Sequence, residues 1–179
     1  MRRFAAVVLL ALAALPARAQ GEPPHSPGGT PGADPAACTQ FDWSLLREQA
    51  WFSAAGLPRV ESGGTLAAMP AATLGLRPRD AITLPFAPSR EPKPGSFSGV
   101  LHLDAPLAPG PYQVTLSDRA WIDVSQDEKT TRPATAHTMR PGCPMLAKSV
   151  RFQLGTAPIT IVVSNAASDA IRIAVAPVE

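Results

Sequence analysis

The amino-acid sequence predicts a mainly β protein, an antiparallel β-sandwich or jelly-roll-like domain of seven or eight strands with one N-terminal helix. Short stretches in which apolar and polar residues alternate recur through the second half of the chain, as in half-buried strands. The 179 residues include 21 Pro and 13 Gly, which favours short strands separated by turns over long helices. A single early segment has helical periodicity.

The first segment is typical of a secretory signal peptide. It has basic residues at positions 2 and 3, an apolar run over 4–15 and a small-residue motif over 17–19. The apolar run is too short to cross a bilayer as a helix, and no later stretch is longer. We therefore expect cleavage after Ala19, a periplasmic or secreted product, and no membrane span in the mature chain.

Three of the 16 Lys and Arg residues would leave with this signal, so the rest nearly balance the 14 acidic residues. No run of Lys and Arg remains that would bind a phosphate backbone, and nucleic acid is not an expected partner. Residues 20–37 are rich in Pro and Gly and nearly free of large apolar side chains, which predicts a disordered tether. Residues 38–179 form one β-sandwich domain in this interpretation.

Cys38 and Cys143 are the only cysteines in the sequence. In an oxidising compartment two cysteines most simply form one disulfide, and the chain has no C-x-x-C motif of a redox pair. The alternatives are two free thiols or pairing between chains. The predicted disulfide would tie the entry of the domain to a long loop before the last strands.

Residues 41–52 predict the helix, with Asp42 or Ser44 as N-cap. Leu45 and Phe52 fall along one side, and a neighbouring stripe that includes Leu46 widens the apolar arc. The helix should therefore pack against another part of the domain.

The segment that follows predicts fewer elements. Residues 60–79 predict a loop with at most one short strand at 73–76. Residues 81–86 alternate and predict an edge strand, because Pro85 cannot donate to a ladder. A loop over 87–95 carries Arg90 and Lys93.

Further strands are predicted at 97–104, where His102 points outward, and across 110–124, which we interpret as a β-hairpin. In the hairpin, residues 112, 114, 116, 122 and 124 face the core, whereas Trp121 and Asp123 share the opposite face. A long polar loop over 125–147 comes next. Three strands close the chain, each with an alternating apolar set facing inward, at 149–154, 158–164 and 170–176.

Trp121, Asp123 and Tyr112 are the candidate binding surface. An exposed Trp beside a carboxylate stacks on a sugar ring or takes part in a protein interface. The competing interpretation is that the helix covers this face and that Trp121 is ordinary core.

A metal site is the second chemical alternative. His102, His137 and Asp123 supply the residue types of a mononuclear iron site, although their spacing matches no ligand motif. Asp118, Asp123, Asp127 and Glu128 form an acidic cluster whose spacing matches no calcium loop. The sequence predicts no cofactor.

The motifs Cys38-Thr-Gln-Phe-Asp-Trp43, the 112–124 segment, and Gly142-Cys-Pro144 followed by Lys148-Ser-Val-Arg-Phe152 resemble a group of small exported proteobacterial proteins of unknown function. Some members are labelled homogentisate 1,2-dioxygenase, but that enzyme family is much larger and uses clustered His and Glu around iron. The 110–124 run also resembles, more weakly, the non-catalytic β-sandwich domains appended to secreted bacterial peptidases. Neither resemblance implies a catalytic residue.

The function predicted from these features is a non-enzymatic exported β-sandwich with a binding, structural or accessory role, and its partner is a protein or a glycan. One alternative is a carbohydrate-binding module that uses Trp121 and Tyr112. The other is a metal-dependent, dioxygenase-like enzyme that uses His102, His137 and Asp123. The sequence indicates no oligomeric state.

Overall fold

The computed structural model describes residues 33–66 and 70–179. The predicted signal peptide and residues 20–32 of the predicted tether lie outside the described residues. Pro35–Thr39 forms a 3-10 helix in which Ala37 is buried, so the end of the predicted tether belongs to the fold.

Within the described residues the chain is mainly β, as predicted, with one α-helix and eleven strands in two sheets. In chain order the elements are α1 (Leu46–Ser53), β1 (Arg59–Val60), β2 (Gly64–Thr65), β3 (Ala71–Gly75), β4 (Arg77–Pro78), β5 (Phe97–Leu103), β6 (Gly110–Leu116), β7 (Trp121–Ser125), β8 (Ala134–Met139), β9 (Lys148–Leu154), β10 (Ile159–Ala166) and β11 (Ala170–Pro177). The three strands β1, β2 and β4 span only two residues each.

The two sheets pack face to face as a sandwich. The six-stranded sheet has the order β1-β3-β11-β6-β9-β8, and the five-stranded sheet has the order β2-β5-β10-β7 with β4 also paired to β5. The long strands pair antiparallel with one another, whereas β1 pairs parallel with β3 and β2 pairs parallel with β5. The predicted inward residues of β5, β6, β7, β9, β10 and β11 all belong to the core between the sheets or pack against it.

The prediction of a hairpin across 110–124 is wrong. β6 pairs with β11 and β9 in one sheet, whereas β7 pairs with β10 in the other, so the connection crosses the sandwich. Alternation shows which side chains face the core, and a hairpin and a crossing between sheets satisfy the same pattern. Ser117 still pairs with Arg172 of β11 before the chain crosses.

Two further assignments need correction. The predicted strand over 81–86 is instead the start of a segment that we call the strap, residues 82–93, which lies across the outer face of the five-stranded sheet. Its alternating Ile82, Leu84 and Phe86 pack on Val100 and Val162 there, so an outer sheet face satisfies the pattern that a strand would show. The polar loop predicted over 125–147 contains β8, an edge strand with several exposed side chains that lacks apolar alternation.

Helix α1 covers the outer face of the six-stranded sheet. Leu45 and Phe52 pack on Ala71 of β3 and Ala174 of β11, whose small side chains let the helix approach the sheet closely. The helix begins later than predicted, with Leu45 at the N-cap and no side-chain capping bond. Leu46 is 67% exposed rather than part of an apolar stripe.

The predicted disulfide is present between Cys38 and Cys143, which are 105 positions apart in the chain. It lies in the same apolar cluster as the helix. The backbone amide of Asp34 also donates to the carbonyl of Gly142, at 2.7 Å. The N-terminal entry is therefore fastened to the β8–β9 connection, as the sequence predicts.

Candidate functional site

A cavity of about 360 Å³ opens where β7, at the edge of one sheet, approaches β8, at the edge of the other. Its basic side chains come from three separate segments: Arg90 and Lys93 from the strap, Arg119 from the β6–β7 connection, and Lys148 from the start of β9. We call this cavity the cationic pocket. Its volume lies in the range of small-molecule sites in proteins.

No acidic side chain from residues 33–66 or 70–179 lines the cationic pocket. Among the described residues, none of its four basic side chains forms an ion pair within 4.0 Å. Positive charge in a concave, partly desolvated site raises the local concentration of anions. The pocket therefore carries a concentrated positive charge that its own lining does not balance.

Trp121 forms an aromatic wall of this pocket. The guanidinium carbon of Arg90 lies over the indole at 4.5 Å from its centroid, and the ammonium of Lys148 lies over it at 4.7 Å. Such cation–π contacts hold each cation beside the ring without neutralising its charge.

A short hydrogen-bond chain fixes the orientation of the indole. Trp121 Nε1 donates to Ser89 Oγ at 2.9 Å, and the Ser89 hydroxyl donates in turn to Asp123 Oδ1. Asp123 is buried at 3% exposure, and its Oδ2 has no hydrogen-bond partner among the described residues. The strap residue Ser89 therefore couples the aromatic wall to a buried carboxylate on β7.

Lys148 is the most enclosed of the four cations. Its Nζ donates to the carbonyl of Ala120 at 3.2 Å. Burial lowers the pKa of Lys148, repulsion from Arg90 lowers it further, and the Asp123 carboxylate acts in the opposite direction. The folded protein thus holds this ammonium at an energetic cost that a bound anion would relieve.

The remaining side chains of the pocket add a donor and a partly apolar rim. Asn165 Oδ1 accepts from the backbone amide of Lys93 at 2.8 Å, while its buried Nδ2 has no partner among the described residues. His137 and Met139 of β8 are exposed at the rim. The side-chain amide nitrogen of Asn165 is therefore a hydrogen-bond donor that no described residue uses.

The structure keeps two of the three predicted surface residues together. Trp121 and Asp123 lie on the outer face of the five-stranded sheet, and the strap, not the helix, covers that face in part. Tyr112 is elsewhere, because β6 belongs to the other sheet. Its ring packs against the inner core, and its hydroxyl donates to the Ala108 carbonyl at 3.2 Å. A shared platform of Trp121 and Tyr112 does not form.

The predicted iron ligands do not converge. His102 on β5 has Nδ1 3.2 Å from Thr160 Oγ1 and 3.8 Å from Glu128 Oε1, whereas His137 lies at the rim of the cationic pocket. Asp123 is buried beneath Ser89. No group of three His, Cys, Asp or Glu side chains in the described ranges is placed to hold a metal ion.

The acidic cluster is also dispersed into separate structural roles. Asp127 accepts from the amides of Thr130 and Lys129 at 2.8 and 2.9 Å, and these bonds hold its pKa far below its ordinary value. Glu128 accepts from Thr160 Oγ1 at 2.9 Å, and Asp118 accepts from the adjacent Ser117 at 2.6 Å. Each of these carboxylates therefore accepts hydrogen bonds from its own partners, and they do not form a common site.

Sequence reasoning missed the cationic pocket. Its basic residues lie at positions 90, 93, 119 and 148, so no continuous run of basic residues in the sequence indicates the site. The single available signal was the pair Arg90 and Lys93 in one loop. The crossing of β7 into the second sheet brings Arg119 to this pair, and the meeting of the two sheet edges brings Lys148.

A second buried carboxylate lies beneath α1 on the opposite outer face. Glu48 is 1% exposed, and its Oε1 accepts from Arg47 at 2.9 and 3.1 Å and from Gln113 Nε2 at 2.8 Å. The Arg47 guanidinium also donates hydrogen bonds to the Pro177 carbonyl and to the Glu179 carboxylate. This group is neutralised and bonded, as expected for a structural role.

No protein-family model matches this chain, and comparisons with curated proteins and with solved structures give no significant match. In the part of the chain that the structure describes, no helix is long and apolar enough to cross a membrane.

Proposed function

We propose that this chain is an exported, non-enzymatic β-sandwich protein with a binding or accessory role, and that its ligand site is the cationic pocket beside Trp121. The observation that carries the proposal is the pocket itself, in which three separate segments bring basic side chains beside the oriented indole of Trp121 on β7. Small-molecule sites usually combine a concave apolar wall with a few convergent polar groups.

Export is supported by two independent features. Residues 1–19 have the basic, apolar and small-residue regions of a cleavable signal peptide. The Cys38–Cys143 disulfide suits an oxidising compartment such as the periplasm or the exterior, where such bonds persist.

Fractionation of a Gram-negative host that expresses the full chain tests export. We expect the protein in the periplasm or medium, beginning at Gln20, with an intact mass that rises by two hydrogens on reduction. Full-length protein in the cytoplasm with two free thiols would contradict this part of the proposal.

Ligand binding is tested by thermal-shift screening of the purified mature protein against neutral and charged sugars, amino acids and organic acids. We expect at least one stabilising compound for the wild type and none for Trp121→Ala, since the indole forms a wall of the pocket. Leu107→Ala is the matched control, because Leu107 is fully exposed and does not line the pocket. Equal shifts in the wild type and Trp121→Ala would place binding elsewhere.

A carbohydrate-binding module is the second candidate, and the indole at the pocket favours it. It would use Trp121 without Tyr112, whose ring packs against the inner core. Loss of glycan binding in Trp121→Ala with retention in Tyr112→Phe would support this version. Loss in Tyr112→Phe alone would argue against it.

A further inference from the structure

We infer that the cationic pocket binds a small ligand through an oxyanion, a carboxylate or phosphate group, while Trp121 packs against the body of that ligand. This inference rests on the proposed function and adds to it the chemical class of the ligand. Arg90, Lys93, Arg119 and Lys148 supply the positive charge.

The balance of hydrogen-bonding groups favours an anion over a neutral ligand. The side chains of Arg90, Lys93 and Arg119 make no hydrogen bond to any other described residue. Buried Asn165 Nδ2 is a further donor without a partner in the same part of the structure. Guanidinium and ammonium donors bind carboxylate and phosphate oxygens with short, charge-assisted bonds.

The electrostatic setting also selects against cations. Burial and the neighbouring Arg90 lower the pKa of Lys148, so the charged form of this side chain is destabilised where it lies beside the cavity. The carboxylate that acts on Lys148, that of Asp123, is buried and accepts from Ser89, and it does not line the cavity. An incoming oxyanion therefore meets donors with no competing carboxylate at the surface of the cavity.

Shape limits the ligand to a small molecule. The cavity of about 360 Å³ is near the lower end of ligand pockets, which suits a single ring with one acidic substituent. The Trp121 indole, together with the Met139 side chain at the rim, provides an apolar surface for that ring. A long polyanion would contact the pocket with only one of its units.

Calorimetric titration of the mature protein with glucose, glucuronate, a glucose phosphate and inorganic phosphate tests the inference. The sugar ring is constant in the first three probes, so the comparison isolates the charge. Glucuronate against glucose phosphate separates carboxylate from phosphate recognition, and inorganic phosphate shows what the anion binds without the ring. We expect binding of glucuronate or of the phosphates, with affinity that falls as salt is added, and no binding of glucose.

Matched charge variants locate the effect. Arg119→Gln and Lys93→Gln remove exposed pocket cations and should each weaken anion binding by about tenfold, the size expected for a hydrogen bond to a charged group. Lys129→Gln removes the same charge from an exposed residue outside the pocket and should leave affinity unchanged. Unchanged melting temperatures of the variants exclude misfolding as the cause.

Three outcomes would overturn the inference: no anionic probe binding at millimolar concentration, glucose binding as tightly as its charged analogues, or equal losses in Lys129→Gln and Arg119→Gln. If glucose binds and Trp121→Ala abolishes that binding, the proposed binding function stands and only the anionic class is wrong. If the wider ligand screen also shows no Trp121-dependent binding, the proposed function fails as well.

Discussion

The two outer faces of the sandwich are both covered, but by different kinds of chain and with different polar chemistry. Helix α1 and the Cys38–Cys143 disulfide cover the six-stranded sheet, whereas the irregular strap covers part of the five-stranded sheet. Each cover buries one carboxylate. Glu48 under the helix accepts bonds from Arg47 and Gln113, whereas Asp123 under the strap receives one direct bond from Ser89 and has an unpartnered oxygen among the described residues.

This difference in polar chemistry supports the proposal that the strap face, rather than the helix face, carries the ligand site. Beneath the helix, Arg47 and Gln113 satisfy the Glu48 carboxylate, and the unpartnered buried atoms there are the donors Trp43 Nε1 and Arg151 Nε, among the described residues. Beside the strap, the basic side chains lack ion-pair partners in the described part of the chain, and a donor is unfilled. Incomplete satisfaction of polar groups costs stability and is a recurrent property of binding sites.

Loss of the disulfide should have the largest effect on stability. Cys38→Ser/Cys143→Ser should lower the free energy of unfolding by about 4–5 kcal/mol, because the bond closes a very long loop in the unfolded chain. Urea unfolding of the oxidised, reduced and double-variant proteins measures this loss. A loss below about 1 kcal/mol would show that the helix face does not depend on its covalent tie.

The second-largest effect on stability should come from truncating Phe86, the aromatic side chain that packs the strap on its sheet. Phe86→Ala removes a ring that is 6% exposed and packs on Val100 and Val162, so unfolding should become easier by about 3 kcal/mol. Leu107→Ala, at a fully exposed position, should stay within about 0.5 kcal/mol. If Phe86→Ala leaves urea unfolding unchanged, the strap is not an integral cover of its sheet.

The two buried carboxylates provide the most direct test of the comparison. Glu48→Gln removes a buried negative charge that accepts two hydrogen bonds from Arg47. The substitution should lower the free energy of unfolding by about 2 kcal/mol. Asp123→Asn should cost less than about 1 kcal/mol, since among the described residues only Ser89 donates to it, and it should strengthen anion binding by removing a negative charge that acts on Lys148. Similar costs at both positions, measured in urea, would remove the distinction between the faces.

The smallest expected effect is the pH dependence contributed by Asp127 at the end of β7. Its folded-state pKa is depressed by bonds from Thr130 and Lys129, so the folded protein binds the proton less readily than the unfolded chain. The resulting stability is complete above the unfolded value near 4 and is lost as the pH falls below it. Asp127→Asn should therefore lose less stability than the wild type between about pH 5 and pH 3 in urea titrations. An identical acid dependence would contradict the assignment.

The sequence predicted those features that depend on local pattern and on covalent chemistry. Alternation identified the inward side chains of the long strands, and two cysteines in a chain with a predicted export signal predicted their bond. Alternation carries no information about which strand is the neighbour, so the crossing between β6 and β7 was missed. Ile82, Leu84 and Phe86 looked like a strand because an outer sheet face imposes the same apolar period.

The candidate site was only half predictable. Trp121 and Asp123 share a face through strand geometry alone, which the sequence shows. Lys148 and Arg119 reach that face because two sheet edges meet there, a property of the tertiary arrangement. Charges that are dispersed in sequence become a cluster only when the topology is known.

The central positions of β10 and β11 also determine when this fold can be completed. β10 lies between β5 and β7, and β11 lies between β3 and β6, so the last two strands of the chain join the earlier strands of each sheet. A chain that emerges from its N-terminus first, whether from a ribosome or through a translocation channel, cannot close either sheet until its C-terminal residues arrive. For a chain that is exported, as we propose, this order of strands delays folding until translocation is nearly complete.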